Sequence, residues 1–147
     1  MIPIMQTDTT FTTGNCGEAC VASILEIKLS DIPTLYNPDD PQDGHLYCKN
    51  LRKFLSGFGL SYIDVGMDED HDPKEFFKDC WVLASGPSPR GTKDYHRHAV
   101  VWQNGKIVHD PHPAGGGLKR IDMYGVFIVM NPVYYILKQK IYKEKGF

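Results

Sequence analysis

The chain has 147 residues, of which 41% are hydrophobic and 23% charged, with a formal net charge of −2 at pH 7. This size and composition predict one globular domain over residues 1–147, and the weak net charge gives no reason to expect nucleic acid or an anionic membrane as a partner. No apolar run approaches the roughly 20 residues that span a bilayer, and the first residues lack a signal-peptide pattern, so we expect a cytoplasmic protein whose cysteines are thiols.

The N-terminal half is predicted to be mainly helical. Cys20, Val21, Ile24 and Ile27 follow helical spacing, and glycines close a second amphipathic segment. In chain order the pattern predicts a short edge strand at 2–5, a helix at 16–27, a helical turn at 30–33, a helix at 45–56, a strand at 60–65 and a short helix that starts at Pro73 with Asp72 as its cap.

The C-terminal half is predicted to be rich in strands. Asn104-Gly105 is a strong hairpin signal because both residues tolerate positive φ. The pattern predicts strands at 81–84, 98–102, 106–109 and 124–130, loops at 86–97 and 110–117, and a terminal strand or helix at 133–145. Helices followed by antiparallel strands indicate an α+β fold.

Cys16 is the strongest candidate in the sequence for a catalytic residue. It lies between the turn residues Gly14-Asn15 and the first predicted helix. Unpaired N–H groups and the helix dipole at such a position favour a thiolate, so we expect a lowered thiol pKa, and the same N–H groups can hold the oxyanion of an acyl intermediate.

A base and an orienting group are predicted from the hairpin. If Asn104-Gly105 is a two-residue turn, Gln103 pairs with Lys106 and position 98 lies opposite position 111. His98 and Asp110 therefore lie at the same end of the hairpin. A carboxylate there can accept the Nδ1–H of the imidazole and leave the other nitrogen for Cys16, as in other nucleophile triads.

Four short motifs carry a resemblance to a known family. They are Ile2–Gln6, Asn15–Cys20, His98–Val101 and His109–Pro111. Their order resembles the papain-like cysteine peptidases, and most closely the bacteriocin-processing branch, which comprises the peptidase domains of peptide-exporting transporters and their stand-alone phage and bacterial relatives. The resemblance implies a papain-like fold, with an N-terminal helical part whose nucleophile helix packs on a C-terminal antiparallel sheet.

The same resemblance implies roles for four residues. Cys16 would be the nucleophile, His98 the base, Asp110 the orienting group and Gln6 a donor to the oxyanion. The expected activity is that of a cysteine peptidase or amidase, which acts on a peptide or protein through an acyl-enzyme and needs no cofactor or metal.

Several alternatives stay open at this point. The domain could be a catalytically inactive papain-like binding module. Gly14-Asn15-Cys16 is also similar to the start of the ovarian-tumour deubiquitinase motif, which would imply an isopeptidase acting on a ubiquitin-like tail. Zinc could take Cys16, Cys20 and two imidazoles from His96, His98, His109 and His112. Gly115–Gly117 is a weak candidate for a nucleotide loop, and Cys20, Cys48 and Cys80 are predicted core residues.

Overall fold

A computed structural model describes residues 1–146 of the protein. The helices are α1 (Cys16–Leu25), α2 (Gly44–Ser56), α3 (Pro73–Phe76) and α4 (Pro132–Glu144), with a 3-10 turn at Leu29–Asp31. The strands are β1 (Leu60–Val65), β2 (Val82–Pro87), β3 (Arg97–Gln103), β4 (Lys106–His109) and β5 (Met123–Val129). The α+β prediction is confirmed.

The strands form one antiparallel sheet with the order β1-β5-β2-β3-β4. Successive residues of β2 and β3 are mostly apolar and point to opposite faces of the sheet, so both faces are apolar. Leu83 and Val101 belong to the main core with residues of α1 and α2, whereas Val82 and Val100 belong to a smaller core around Phe77. α1 packs on β3 and α2 packs on β1, so the start of α1 lies over the sheet.

Helix ends follow the local sequence. Asp72 accepts a hydrogen bond from the Lys74 N–H and Pro73 follows it, as predicted. The segment at 133–145, predicted as strand or helix, is helix α4, because Asn131 caps Tyr134 N and Pro132 occupies the first turn. None of the helices within residues 1–146 has the length and apolar character needed to cross a membrane.

The predicted edge strand at 2–5 is wrong. This segment, described in full, pairs with no strand. Its N–H groups bond to α1 instead: Ile2 N donates to Ser23 O and Ile4 N donates to Ser23 Oγ. Pro3 between them has no N–H to offer a neighbouring strand. The N-terminal segment is therefore fixed to the helix that carries Cys16.

The hairpin of β3 and β4 contains a bulge. Gln103 pairs with Lys106 as predicted, and Trp102 pairs with Ile107, but Val101 pairs with His109. β4 therefore holds one extra residue, and the predicted register of 98 opposite 111 is wrong by one position.

Candidate active site

Cys16 lies at the first position of α1, and no side chain caps that end of the helix. The preceding residue, Asn15, uses its amide elsewhere. Its Oδ1 accepts hydrogen bonds from Thr7 N and Asp8 N, and its Nδ2 donates to Thr7 Oγ1. The Asn15 side chain thus braces the 7–15 loop, and the first N–H groups of the helix are left to face the cysteine and any group bound beside it.

His98 and Asp110 form a hydrogen-bonded pair. The Nε2–H of His98 donates to Asp110 Oδ1 at 2.8 Å, and His98 is only 4% exposed. Asp110 also accepts from His112 N at 2.9 Å and from Gly117 N at 2.8 Å. The pairing of His98 with Asp110 is as predicted, but the ring nitrogen is not: Nε2 binds the carboxylate, so Nδ1 is the nitrogen left for a proton transfer.

Cys16 and His98 meet at two neighbouring cavities. Both side chains line a cleft of about 390 Å³ and a smaller cavity of about 120 Å³. The N–H of Ala99, which follows His98, approaches the sulfur closely enough to lower the pKa of Cys16. The structure therefore brings together the three residues predicted as nucleophile, base and orienting group.

The thiol pKa differs from the prediction. Burial raises the pKa of Cys16 to about 11, and the charge of Glu18 adds to this rise. The N–H groups of Ala99, Gly17 and Cys16 act in the opposite direction but do not compensate. The expected lowering at a helix start is therefore wrong here, because desolvation of the sulfur outweighs the helix terminus. Cys16 rests as a thiol at neutral pH.

His98 rests as a neutral ring. Burial lowers its pKa, and the nearby charges of Arg90 and His112 lower it further, while the Asp110 carboxylate raises it. Burial also opposes ionisation of Asp110, but bonds from His112 N, the His98 ring and Gly117 N lower the pKa of this carboxyl overall. The resting site thus pairs a neutral thiol with a neutral imidazole held by a carboxylate.

Gln6 lies in the smaller cavity with Cys16 and His98. The residue is 7% exposed, its N–H donates to Pro111 O, and its Nε2 donates to Asp8 O at 2.7 Å. No atom of residues 1–146 pairs with its buried Oε1. Nε2 retains a second hydrogen, so Gln6 is positioned beside the nucleophile with one donor and one acceptor free.

Two loops border the cavities. Phe11, from the 7–15 loop, lines both of them. Its ring stacks on His96 with centroids 4.3 Å apart and planes 6° from parallel. His96 precedes β3, so this stack joins the loop before the nucleophile to the loop before the base.

The glycine run 115–117 has a structural role that the sequence did not reveal. All three residues have positive φ, which favours glycine. Gly117 N donates to Asp110, and Gly115 O accepts from the guanidinium of Arg90. The run therefore holds both the orienting carboxylate and a cation beside the site. A cue was present in the position of the run, five residues after Asp110.

The larger cleft is acidic and aromatic. Glu18, Asp64 and the aromatic residues Tyr47 and Tyr62 line it. Burial raises the pKa of Glu18, against hydrogen bonds from the N–H groups of Glu18 and Leu35. The Tyr47 hydroxyl is buried without a partner in residues 1–146. A side chain at position 17 would clash with that hydroxyl, which explains glycine after the cysteine.

The other three cysteines lie in surroundings different from those of Cys16. Cys20 is fully buried, as predicted. Cys48 is half-buried against the main core and donates to Asp64 Oδ2 at 3.1 Å, whereas Cys80 is exposed, so the prediction of a core position is wrong for Cys80. Cys48 lies at the edge of the α2 contact with β1, and Cys80 follows α3 in a surface turn.

The zinc set does not assemble. Cys20 is in the core, His98 binds Asp110, and His109 Nε2 lies 2.8 Å from Ile4 O. Within residues 1–146, no three His, Cys, Asp or Glu side chains are grouped so that they could hold a metal ion.

Comparison with known proteins gave no relative. No family model, curated protein or solved structure matches the chain. The chemistry of the site therefore rests on its own residues.

Proposed function

We propose that the protein is a cysteine peptidase or amidase of papain-like type, with Cys16 as nucleophile. The observation that carries the proposal is the meeting of Cys16, at an uncapped helix start, with a histidine whose far nitrogen is bound to Asp110. A buried His–Asp pair facing a thiol at a cleft is the arrangement that nucleophilic catalysis requires.

The proposed reaction begins with proton transfer. His98 Nδ1 takes the proton of the Cys16 thiol as the sulfur attacks the carbonyl carbon of a peptide, isopeptide or amide. Because both groups rest neutral, the thiolate forms together with the attack instead of existing beforehand. Asp110 stabilises the imidazolium that results, since it accepts the Nε2–H.

The tetrahedral intermediate places negative charge on the former carbonyl oxygen. The N–H of Cys16 and the free hydrogen of Gln6 Nε2 are the donors proposed for it. Loss of one such donor costs about 2.7–4 kcal/mol in activation free energy. The C–N bond then breaks, His98 gives its proton to the amine, and water, deprotonated by His98, releases the acyl group from the thioester.

A catalytically inactive binding module is the second candidate. The specific observation in its favour is the raised pKa of Cys16, about 11. A thiol that never exchanges its proton with His98 would leave the larger cleft as a binding groove. An isopeptidase that acts on a ubiquitin-like tail uses the same chemistry as the first candidate and differs only in substrate.

Labelling with a peptidyl vinyl sulfone separates the two candidates. The enzyme predicts an adduct on Cys16 whose rate falls at least tenfold in His98→Ala. The binding module predicts labelling of Cys16 at the same rate in both proteins. Cys80, which is exposed, provides the internal reference for reagent reactivity.

A further inference from the structure

The smaller cavity beside Cys16 contains an unpaired cation. Arg90 is partly buried there, and its guanidinium donates to Gly115 O. No carboxylate within residues 1–146 forms an ion pair with it. A guanidinium has five N–H donors, so Arg90, which lines the cavity, keeps further donors for a bound group.

His112 adds a second donor of fixed orientation. Its Nδ1 accepts a hydrogen bond from Ala114 N at 3.0 Å. The neutral ring must therefore carry its proton on Nε2. Burial and the charge of Arg90 lower the pKa of His112, against the effect of Asp110. Above pH 7 this ring is a neutral donor on the wall of the cavity.

The other charged side chains near the cavity have partners within residues 1–146, and Asp110 does not itself line the cavity. Arg97 pairs with Asp122, and Asp110 accepts three hydrogen bonds, from His98, His112 and Gly117. Glu18 lines the larger cleft and not this cavity. Within residues 1–146, Arg90 is therefore the charged side chain lining the cavity that no carboxylate pairs with.

We propose that this cavity binds a carboxylate of the substrate next to the scissile bond. The proposal rests on the function proposed above. A planar carboxylate matches the guanidinium fork, and the His112 Nε2–H can share it. Gln6 Oε1, buried and without a partner in residues 1–146, can accept an N–H from the same part of the substrate.

The size of the cavity restricts what carries the carboxylate. Its volume of about 120 Å³ is less than a third of the 390 Å³ of the larger cleft. The smaller space favours a compact group such as a carboxymethyl. The carboxylate could belong to an acidic side chain or to the free C-terminus of a short substrate, and the test distinguishes these.

The first test compares two alkylating reagents of equal size. Iodoacetate is anionic and iodoacetamide is neutral, and the ratio of their rates at Cys16 cancels the thiolate fraction. At pH 9 we expect the iodoacetate-to-iodoacetamide ratio at Cys16 to exceed that at Cys80. Arg90→Gln should lower it roughly ten- to hundredfold.

Matched variants define the role of Arg90. Lys106→Gln removes the same charge at the turn end of the hairpin and should leave the ratio unchanged. Arg90→Lys keeps the charge without the planar fork and should give an intermediate ratio. An unchanged ratio in Arg90→Gln would overturn the proposal.

Protection of Cys16 from iodoacetamide identifies the source of the carboxylate. N-acetylglycine offers a terminal carboxylate, N-acetylaspartic acid α-amide offers only a side-chain carboxylate, and N-acetylglycinamide offers neither. Protection by the first indicates a C-terminal carboxylate, and protection by the second an acidic side chain. Equal protection by all three, retained in Arg90→Gln, would contradict the proposal.

A binding measurement without the thiol separates the carboxylate site from the catalytic function. The two carboxylates are titrated into Cys16→Ala while the ring signals of His112 are followed by NMR. Saturable shifts that Arg90→Gln removes support the carboxylate site even if the parent protein forms no acyl-enzyme on Cys16. Absence of any shift overturns the carboxylate site even if Cys16 forms an acyl-enzyme.

Discussion

His98 Nε2 lies 2.8 Å from Asp110 Oδ1, and the two strands that lead to these residues are shifted in register by one extra residue in β4. Val101 and His109 pair directly, so they share a face of the sheet. His98 lies near the start of β3 and Asp110 directly follows β4, so both lie at the end of the hairpin away from the Asn104-Gly105 turn. Without the bulge Val101 would pair with Val108, and Asp110 would be displaced by one residue relative to His98.

Asp110→Asn should disable His98 without unfolding the protein. The variant loses the charge that stabilises the imidazolium, and its amide cannot accept from His98, His112 and Gly117 as the carboxylate does. We expect acylation of Cys16 to slow by a factor on the order of 10²–10⁴. The measurement is the rate of active-site acylation, with Asp70→Asn, an exposed carboxylate elsewhere, as the control. A rate within twofold of the parent protein would contradict the role of Asp110.

Glu18→Gln should lower the pKa of Cys16. The Glu18 charge raises that pKa, so its removal favours the thiolate, while burial keeps the pKa above the ordinary value of 9.0. Alkylation of Cys16 by iodoacetamide at pH 8 should accelerate roughly two- to tenfold. Glu69→Gln, at an exposed turn, should have no effect. A slower reaction in Glu18→Gln would show that the carboxylate assists the thiol instead.

The burial of His98 predicts a loss of stability in mild acid. Its pKa in the folded protein is lower than the ordinary 6.5. Between these two pKa values the unfolded chain binds a proton that the folded protein does not, so the free energy of unfolding falls as pH drops below about 6.5. The comparison of urea unfolding at pH 7 and pH 5.5 should show a larger decrease for the parent protein than for His98→Gln. Equal decreases would contradict this assignment.

The glycine run provides a matched pair of substitutions. Gly115 and Gly117 both have positive φ, near +60°, so alanine at either position costs about 1–2 kcal/mol of folding free energy. Alanine at 115 meets open space, whereas alanine at 117 meets Ile107 and carries the N–H bound to Asp110. Gly117→Ala should therefore also slow acylation of Cys16, and Gly115→Ala should not. Equal acylation rates in the two variants would contradict a role for the Gly117 N–H in positioning Asp110.

Local patterns predicted most of the fold. β1, β4 and the start of α3 agree with the sequence because each depends on neighbouring residues: alternation, an Asn-Gly turn, and a capping Asp before Pro. The segment at 2–5 failed because its partners lie in α1, about 20 residues away. An extended apolar stretch does not reveal whether its N–H groups meet a strand or a helix.

The candidate site was likewise predictable from the sequence only in part. Cys16, His98 and Asp110 were predictable because a turn, a helix start and a hairpin place them. The thiol pKa was not, because it depends on how deeply the fold buries the sulfur, and neither was the bulge in the β3–β4 hairpin. Arg90 was missed since its significance depends on the fold of residues 115–117 around it.

The most direct test of the central claim is a burst experiment with an activated ester. N-acetylglycine p-nitrophenyl ester is mixed with the protein, and nitrophenol release is followed together with the intact mass. The account predicts a burst approaching one equivalent and an acetylglycyl adduct on Cys16, absent from Cys16→Ala and at least tenfold slower in His98→Ala. Steady release without an adduct, or an adduct that forms at the same rate without His98, would contradict it.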